Sequence, residues 1–145
     1  MLYFYIWEGR KKWGSFVNDS RNLAIKLSVI LEEDVDKRYF QRMIPNFIFS
    51  SKENLRKGVN FDELDLSEEE FQELQSKKHV PNAISQLIFK KVVELKKQGK
   101  ISEQEFFILN QNMNAFLDSL GACERIRNTP IPFSYSLFLK KFIFI

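Results

Sequence analysis

HVPNAISQLIFKKVVELKKQGKISEQEFF, residues 79–107, contains the start and end signals of two consecutive helices. Pro81 or Asn82 favours a helix start, and Gly99 favours a helix end. Ser102, with Glu105 three residues later, forms a capping-box pattern that starts a second helix. Between these signals the apolar residues fall on one helical face: Ile84, Leu87, Ile88, Val92 and Leu95. The stretch therefore predicts two helices joined by a short turn.

Helical spacing continues on both sides of this stretch. The second helix is predicted to run towards Arg125, with its apolar residues at Phe106, Leu109, Met113, Phe116, Leu117 and Leu120. Residues 2–32 contain no proline and place apolar side chains at mostly helical intervals: Trp13, Phe16, Leu23, Leu27, Ile30 and Leu31. Gly9 and Gly14 lie near the start of this segment. A long first helix is therefore predicted to precede the pair.

The region between the first helix and residue 79 also gives helical signals. Asp34 or Asp36 can cap a helix that Pro45 bends or interrupts and that ends at Gly58. Ser67 and Glu70 form a second capping-box pattern, which predicts a short helix. No segment has a convincing strand pattern, and there is no internal repeat. We therefore expect an all-α fold, a bundle of long helices.

Composition narrows the classes of function. The chain has 145 residues, which is about the size of one domain, and its net charge of +3 is too small and too evenly spread to favour nucleic-acid binding. The single cysteine, Cys123, has no nearby catalytic partner in the sequence, and the single histidine, His79, has no second metal ligand, so His79 is expected to be a surface turn residue. We expect no catalytic residues, no metal and no cofactor, and an enzyme is the weakest class.

Both ends of the chain are rich in aromatic and aliphatic residues. MLYFYIW at the start and PFSYSLFLKKFIFI at the end are similar to parts of membrane helices, although neither reaches the roughly 20 apolar residues that a span needs. Basic residues lie just inside both: Arg10, Lys11 and Lys12 near the first, Arg125 and Arg127 near the second. This is the positive-inside pattern, which predicts that the middle of the chain is cytoplasmic. The alternative is that both ends pack together in a soluble helical interaction module without transport activity.

Two motifs about a hundred residues apart carry a family resemblance. WEGRKKWGSFVNDSRNLA, residues 7–24, and GACERIRNTPIPFSYS, residues 121–136, closely resemble the bacterial branch of the bestrophin ion channels. KHVPNAI at 78–84 and FIFSSKENLRKG at 47–58 resemble weaker segments of the same branch, in the same order. The resemblance therefore covers essentially the whole chain.

The resemblance implies a pentameric, all-helical channel that passes chloride and other monovalent anions through the bacterial inner membrane. In that arrangement residues 1–7 would be the end of a membrane helix in contact with lipid, 8–129 a cytosolic helical region, and 130–145 the start of the next membrane helix. The sequence would then be a fragment of a channel subunit that does not conduct alone. The family's pore neck lies upstream of the first motif, so no neck residue is assigned.

The resemblance also implies structural roles for the motif residues. We expect interhelical hydrogen bonds near the membrane surface from Glu8, Arg10, Asn18, Ser20 and Arg21, with Arg10 or Arg21 as a partner for Glu124; a solvated polar face is the alternative. Thr129, Pro130 and Pro132 are expected to form the turn into the next membrane helix, since two prolines remove two amide donors. The matching motif residues are Trp7, Glu8, Gly9, Arg10, Trp13, Gly14, Asn18, Ser20, Arg21, Glu124, Arg125, Thr129, Pro130 and Pro132.

A cytosolic constriction is also implied, on the helix between Ile101 and Leu120. Phe107 and Ile108 are the candidate pore-lining residues, because an apolar ring can close a channel by excluding water. Ordinary packing between helices is the alternative for both side chains.

Overall fold

The computed structural model describes residues 2–128, without the side chain of Leu2, and every regular element in that range is helical. The long helices are α1 (Leu2–Ile30), α2 (Asp34–Arg56), α4 (Val80–Lys97) and α5 (Glu103–Asn128). A 3-10 turn (Phe61–Glu63) and the short α3 (Glu68–Leu74) connect α2 to α4. The expected all-α bundle of long helices is confirmed.

The core lies between the four long helices. Phe47 of α2 is at its centre, with its ring centroid 5.4 Å from that of Phe16 on α1 and 4.7 Å from that of Phe116 on α5. All three rings are at most 2% exposed. The apolar stripe predicted on α4 is largely buried too: Ile84, Ile88, Val92 and Leu95. Burial of these stripes is the main force that holds the helices together.

Local signals place the helix ends correctly at several points. Gly58 and Gly99 follow α2 and α4 with φ of 117° and 78°, a conformation that favours glycine. Both capping boxes form: the hydroxyls of Ser67 and Ser102 accept hydrogen bonds from the third amide of their helices, and the Glu side chain returns to each cap. These predictions are confirmed.

The start of α2 differs from the expectation. Glu33 is the N-cap residue, without a side-chain capping bond, and neither Asp34 nor Asp36 caps the helix. The Asp36 carboxylate is instead buried and lies 3.0 Å from Nζ of Lys100 and 3.5 Å from Nζ of Lys91. A buried carboxylate needs such partners, so Asp36 joins α2 to α4 and to the turn before α5.

Pro45 does not interrupt α2, which is continuous from Asp34 to Arg56. Proline removes one backbone hydrogen bond, but Pro45 faces solvent, where water can satisfy the freed carbonyl. The other side of the helix is buried: Met43 and Ile44 precede the proline in sequence, and Phe47 follows it. Burial of this continuous face outweighs the lost bond.

Two polar side chains of α2 hold the connection to α3. Asn46 is buried and pairs with both backbone groups of Asp65, accepting from the amide at 2.9 Å and donating to the carbonyl at 2.7 Å. The Arg42 guanidinium donates to both carboxylate oxygens of Glu70 on α3. Hydrogen bonding to Arg42 is the main reason why the pKa of Glu70 is lowered below its ordinary value of 4.5.

Candidate functional site

The two sequence motifs lie side by side because α1 and α5 pack in opposite directions. Lys26 Nζ donates to Asn112 Oδ1 at 2.6 Å, and Ser119 Oγ donates to Asp19 Oδ2 at 3.2 Å. Nearer the chain start, a Cβ added to Gly9 would lie 3.8 Å from Ile126 Cγ2, so the backbone of α1 passes close to α5 there. We call residues 2–18 together with 121–128 the motif end of the bundle.

The predicted motif residues of α1 differ in how far they are buried. Ser20 is buried, Glu8, Gly9 and Trp13 are half-buried, and the others are exposed: Trp7, Arg10, Gly14, Asn18 and Arg21. Within residues 2–128, the expected interhelical hydrogen bonds of this set are not formed. Glu8 pairs with Lys11 at 3.5 Å in the same helix, and Ser20 Oγ donates to the Phe16 carbonyl at 2.9 Å.

The polar groups that do join α1 to α5 were not predicted from the sequence. These are Asp19 and Lys26, seven residues apart and therefore on the same face of a helix. That spacing is a signal in the sequence, but it identifies no partner without knowledge of which helix packs there.

Glu124 has other partners than the arginines expected from the sequence. Its Oε1 atom lies 2.6 Å from Nε2 of His79 and accepts a longer hydrogen bond, 3.4 Å, from Asn54 Nδ2. His79 Nδ1 accepts from the backbone amide of Asn82 at 3.2 Å, so the proton of a neutral imidazole lies on Nε2 and points at the carboxylate. His79 is thus the N-cap of α4 and a contact to α5, and not a simple surface turn residue.

The basic residues of the second motif lie on the surface of the motif end. Arg125 and Arg127 are both exposed, and Arg127 Nη1 donates to the backbone carbonyl of Asn54 at 2.5 Å. Together with Glu124, this contact links the last turns of α5 to α2. Thr129, Pro130 and Pro132 lie outside the described residues.

Phe107 and Ile108, the candidate pore-lining residues, are not part of the interhelical core. They are 63% and 42% exposed and lie in the first half of α5, at the opposite end of the helix from Glu124. The core face of this part of α5 is formed by Leu109 and Met113. The alternative of ordinary packing between helices is therefore wrong for both side chains within the described chain.

Across residues 2–128, no helix combines the length and apolar character needed to cross a membrane. The same range contains no group of three or more His, Cys, Asp or Glu side chains placed to bind a metal. The thiol of Cys123 is buried, and burial raises its pKa, which is opposite to the shift that activates a nucleophile.

In sequence and in fold, the chain is similar to the same family of known proteins. A family model described as bacterial/fungal bestrophin protein matches residues 3–145. A voltage-dependent anion channel-forming protein of Nostoc sp. is 31% identical over 99% of this chain and 49% of its own length. A protein of the same description from Escherichia coli is 29% identical over 95% of this chain and 46% of its own length.

Solved structures agree with these matches. A crystal structure of a bacterial bestrophin homologue from Klebsiella pneumoniae, carrying one substitution, has a TM-score of 0.89 and 30% identity over 96% of this chain and 53% of its own. A second substituted form of that homologue has a TM-score of 0.88. The chain spans about half the length of the curated relatives it matches.

Proposed function

Because this chain belongs to the bacterial and fungal bestrophin family, we propose that it supplies the cytosolic helical part of an anion-channel subunit. The observation that carries the proposal is the agreement of sequence and fold over 96% of the chain with a solved bacterial bestrophin homologue. The relatives are named as channel-forming proteins. The described residues hold no group of side chains placed to bind a metal, and their cysteine thiol is buried with a raised pKa.

The proposed subunit passes monovalent anions such as chloride and assembles as a pentamer in the inner membrane. Residues 1–7 are the end of a membrane helix in lipid, 8–129 the cytosolic region, and 130–145 the start of the next membrane helix. The long α1, which continues from Leu2 to Ile30 without a break, supports a rod that leaves the bilayer and enters the cytosolic bundle. By themselves these 145 residues do not conduct.

In this proposal the motif residues are structural. Packing of α1 against α5 brings the two motifs together, and the contacts of Glu124 with α2 and α4 fix the end of α5 where the chain turns towards the membrane. Phe107 and Ile108 line a cytosolic constriction; their exposure in a single subunit supports this role, since side chains around a pore face away from the subunit core.

A chimaeric channel tests the proposal. The aligned segment of the Klebsiella homologue is replaced by these 145 residues, and chloride flux is measured in liposomes with a chloride-sensitive dye. We expect flux well above that of empty liposomes, and none from the 145-residue chain added alone. A chimaera that assembles to the same size as its host but carries no chloride would overturn the proposal.

A further inference from the structure

The motif end combines exposed aromatic side chains with a cluster of basic ones. Four apolar residues in the first turns of α1 are at least half exposed: Tyr3 at 83%, Phe4 at 58%, Ile6 at 50% and Trp7 at 52%. We call these four residues the aromatic tip. A group of exposed apolar side chains of this kind marks a surface that contacts a partner.

The basic cluster lies directly behind the tip. It consists of Arg10, Lys11 and Lys12 on α1 and Arg125 and Arg127 on α5, all exposed, and we call it the basic collar. The close approach of Gly9 to Ile126 places the two halves of the collar at the same end of the bundle. The packing of α1 against α5 thus collects at one end of the bundle basic residues that are far apart in the sequence.

The net positive charge of the chain is concentrated at the motif end. Residues 2–18 and 121–128 hold five basic and two acidic residues, Glu8 and Glu124, so their excess of three equals the net charge of +3 of the entire chain. Of the two acids, Glu124 contacts His79, and Glu8 pairs with Lys11 of the collar at 3.5 Å. Within residues 2–128, no carboxylate lies within ion-pair distance of Arg10 or Lys12.

The spacing of tip and collar matches the layers of a bilayer surface. Lys11 Nζ lies 4.4 Å from the centroid of the Trp7 ring. The four-residue step from Trp7 to Lys11 spans about 6 Å along the helix axis, similar to the thickness of roughly 5–8 Å of the headgroup layer on each side of the hydrocarbon. With the aromatic tip at the edge of the hydrocarbon, the backbone of the collar is therefore in the headgroup layer, and Nζ of Lys11 lies beside the Trp7 ring at the border of that layer.

We propose that the basic collar binds the headgroups of anionic lipids of the cytoplasmic leaflet while the aromatic tip enters the membrane interface. This inference rests on the proposed membrane location and adds the lipid class to it. Positive charge favours anionic over zwitterionic headgroups, and the aromatic tip favours a lipid surface over a dissolved anion.

Vesicle flotation with the full chain tests the inference. Partitioning is compared between vesicles of phosphatidylcholine alone and vesicles that contain about 30% phosphatidylglycerol. We expect stronger binding to the anionic vesicles and a loss of this preference in high salt. Replacing two collar lysines, Lys11→Gln with Lys12→Gln, is expected to weaken binding to anionic vesicles about 30-fold, or about fivefold per charge.

Matched variants separate charge at the collar from charge elsewhere. Lys90→Gln with Lys97→Gln removes two exposed lysines from the second half of α4, away from the collar, and binding should change by less than about twofold. Lys11→Arg with Lys12→Arg should keep the native affinity, and this charge-preserving pair shows whether any loss comes from charge or from misfolding.

Several results would overturn the inference while leaving the chimaeric flux assay unaffected. These are equal binding to both kinds of vesicle, no binding to either, or equal losses in the collar pair and the α4 pair. Displacement from anionic vesicles by millimolar glycerol phosphate would assign the collar to a dissolved anion. An oligomer that forms without vesicles and separates in the Lys11→Gln, Lys12→Gln variant would assign it to contact between copies.

Discussion

The contact between His79 and Glu124 connects the start of α4 to the last turns of α5, so its removal should loosen the motif end. In the variant Glu124→Ala, the 2.6 Å hydrogen bond from His79 and the 3.4 Å bond from Asn54 are both lost. Hydrogen bonds to charged groups contribute about 1.5–3 kcal/mol. Because the two side chains are 34% and 26% exposed, the lower limit of that range applies.

The expected effect is therefore a loss of about 1.5 kcal/mol in the free energy of unfolding, or about 3–6 °C in melting temperature for a chain of this size. Urea unfolding followed by circular dichroism measures it. Asp118→Ala is the matched control, since Asp118 is an exposed carboxylate on the same helix. It should change stability by no more than about 0.5 kcal/mol.

A double-mutant cycle isolates the contact. His79→Ala removes the contact with Glu124 and also the capping bond to Asn82, so its own cost should exceed that of Glu124→Ala by about 1 kcal/mol. The coupling energy between the two substitutions is expected to be about 1 kcal/mol or more. A coupling energy below about 0.3 kcal/mol would refute the assignment of His79 as the partner of Glu124.

Three further predictions concern the core, the α2–α3 contact and the constriction. Phe47→Ala should lower the free energy of unfolding in urea by about 3–5 kcal/mol, because it leaves a cavity between two aromatic rings. The control Phe49→Ala, two residues away and 44% exposed, should lower it by less than about 1 kcal/mol. Similar losses in both variants would contradict the core described above. Arg42 lowers the pKa of Glu70, so the stability that this carboxylate contributes is complete above pH 4.5 and is lost as the pH falls through the lower pKa of the folded state. The urea midpoint of Glu70→Gln should therefore fall less on acidification than that of the native chain. An equal fall in both would argue against the ion pair. In the chimaeric channel, Phe107→Ser or Ile108→Ser should raise chloride flux by making the constriction wettable, while equal flux from both variants and the parent would remove these residues from the pore.

Much of the local structure could be predicted from the sequence, because helix ends are specified by neighbouring residues. Gly58, Gly99 and the two serine caps act through backbone conformation and short-range hydrogen bonds, which depend little on the rest of the molecule. Pro45 shows the opposite case. Its local preference to break a helix was outweighed by burial of the face on the other side, which only the packed bundle reveals.

The contacts of the candidate site could not be predicted in the same way. Glu124 and His79 are 45 residues apart, and either arginine of the first motif was an equally reasonable partner on charge alone. The basic residues of the collar, too, lie more than a hundred residues apart in two groups, and they come to the same end of the bundle only when α1 and α5 pack in opposite directions. Pairing between distant helices depends on which faces meet, and that information is spread over the whole chain.

The antiparallel pairing of α1 with α5 has a consequence for synthesis on the ribosome. Helix α1 emerges before α5 and cannot form these contacts until α5 is made, because its bonded partners lie 86 and 100 residues later. At a translation rate of about 5–20 residues per second, this delay is about 5–20 s. During that interval the side chains of Phe16, Leu23 and Leu27 lack their final cover. The nascent chain therefore exposes the apolar face of α1 throughout the synthesis of its middle section, and such exposed surface favours aggregation until α5 covers it.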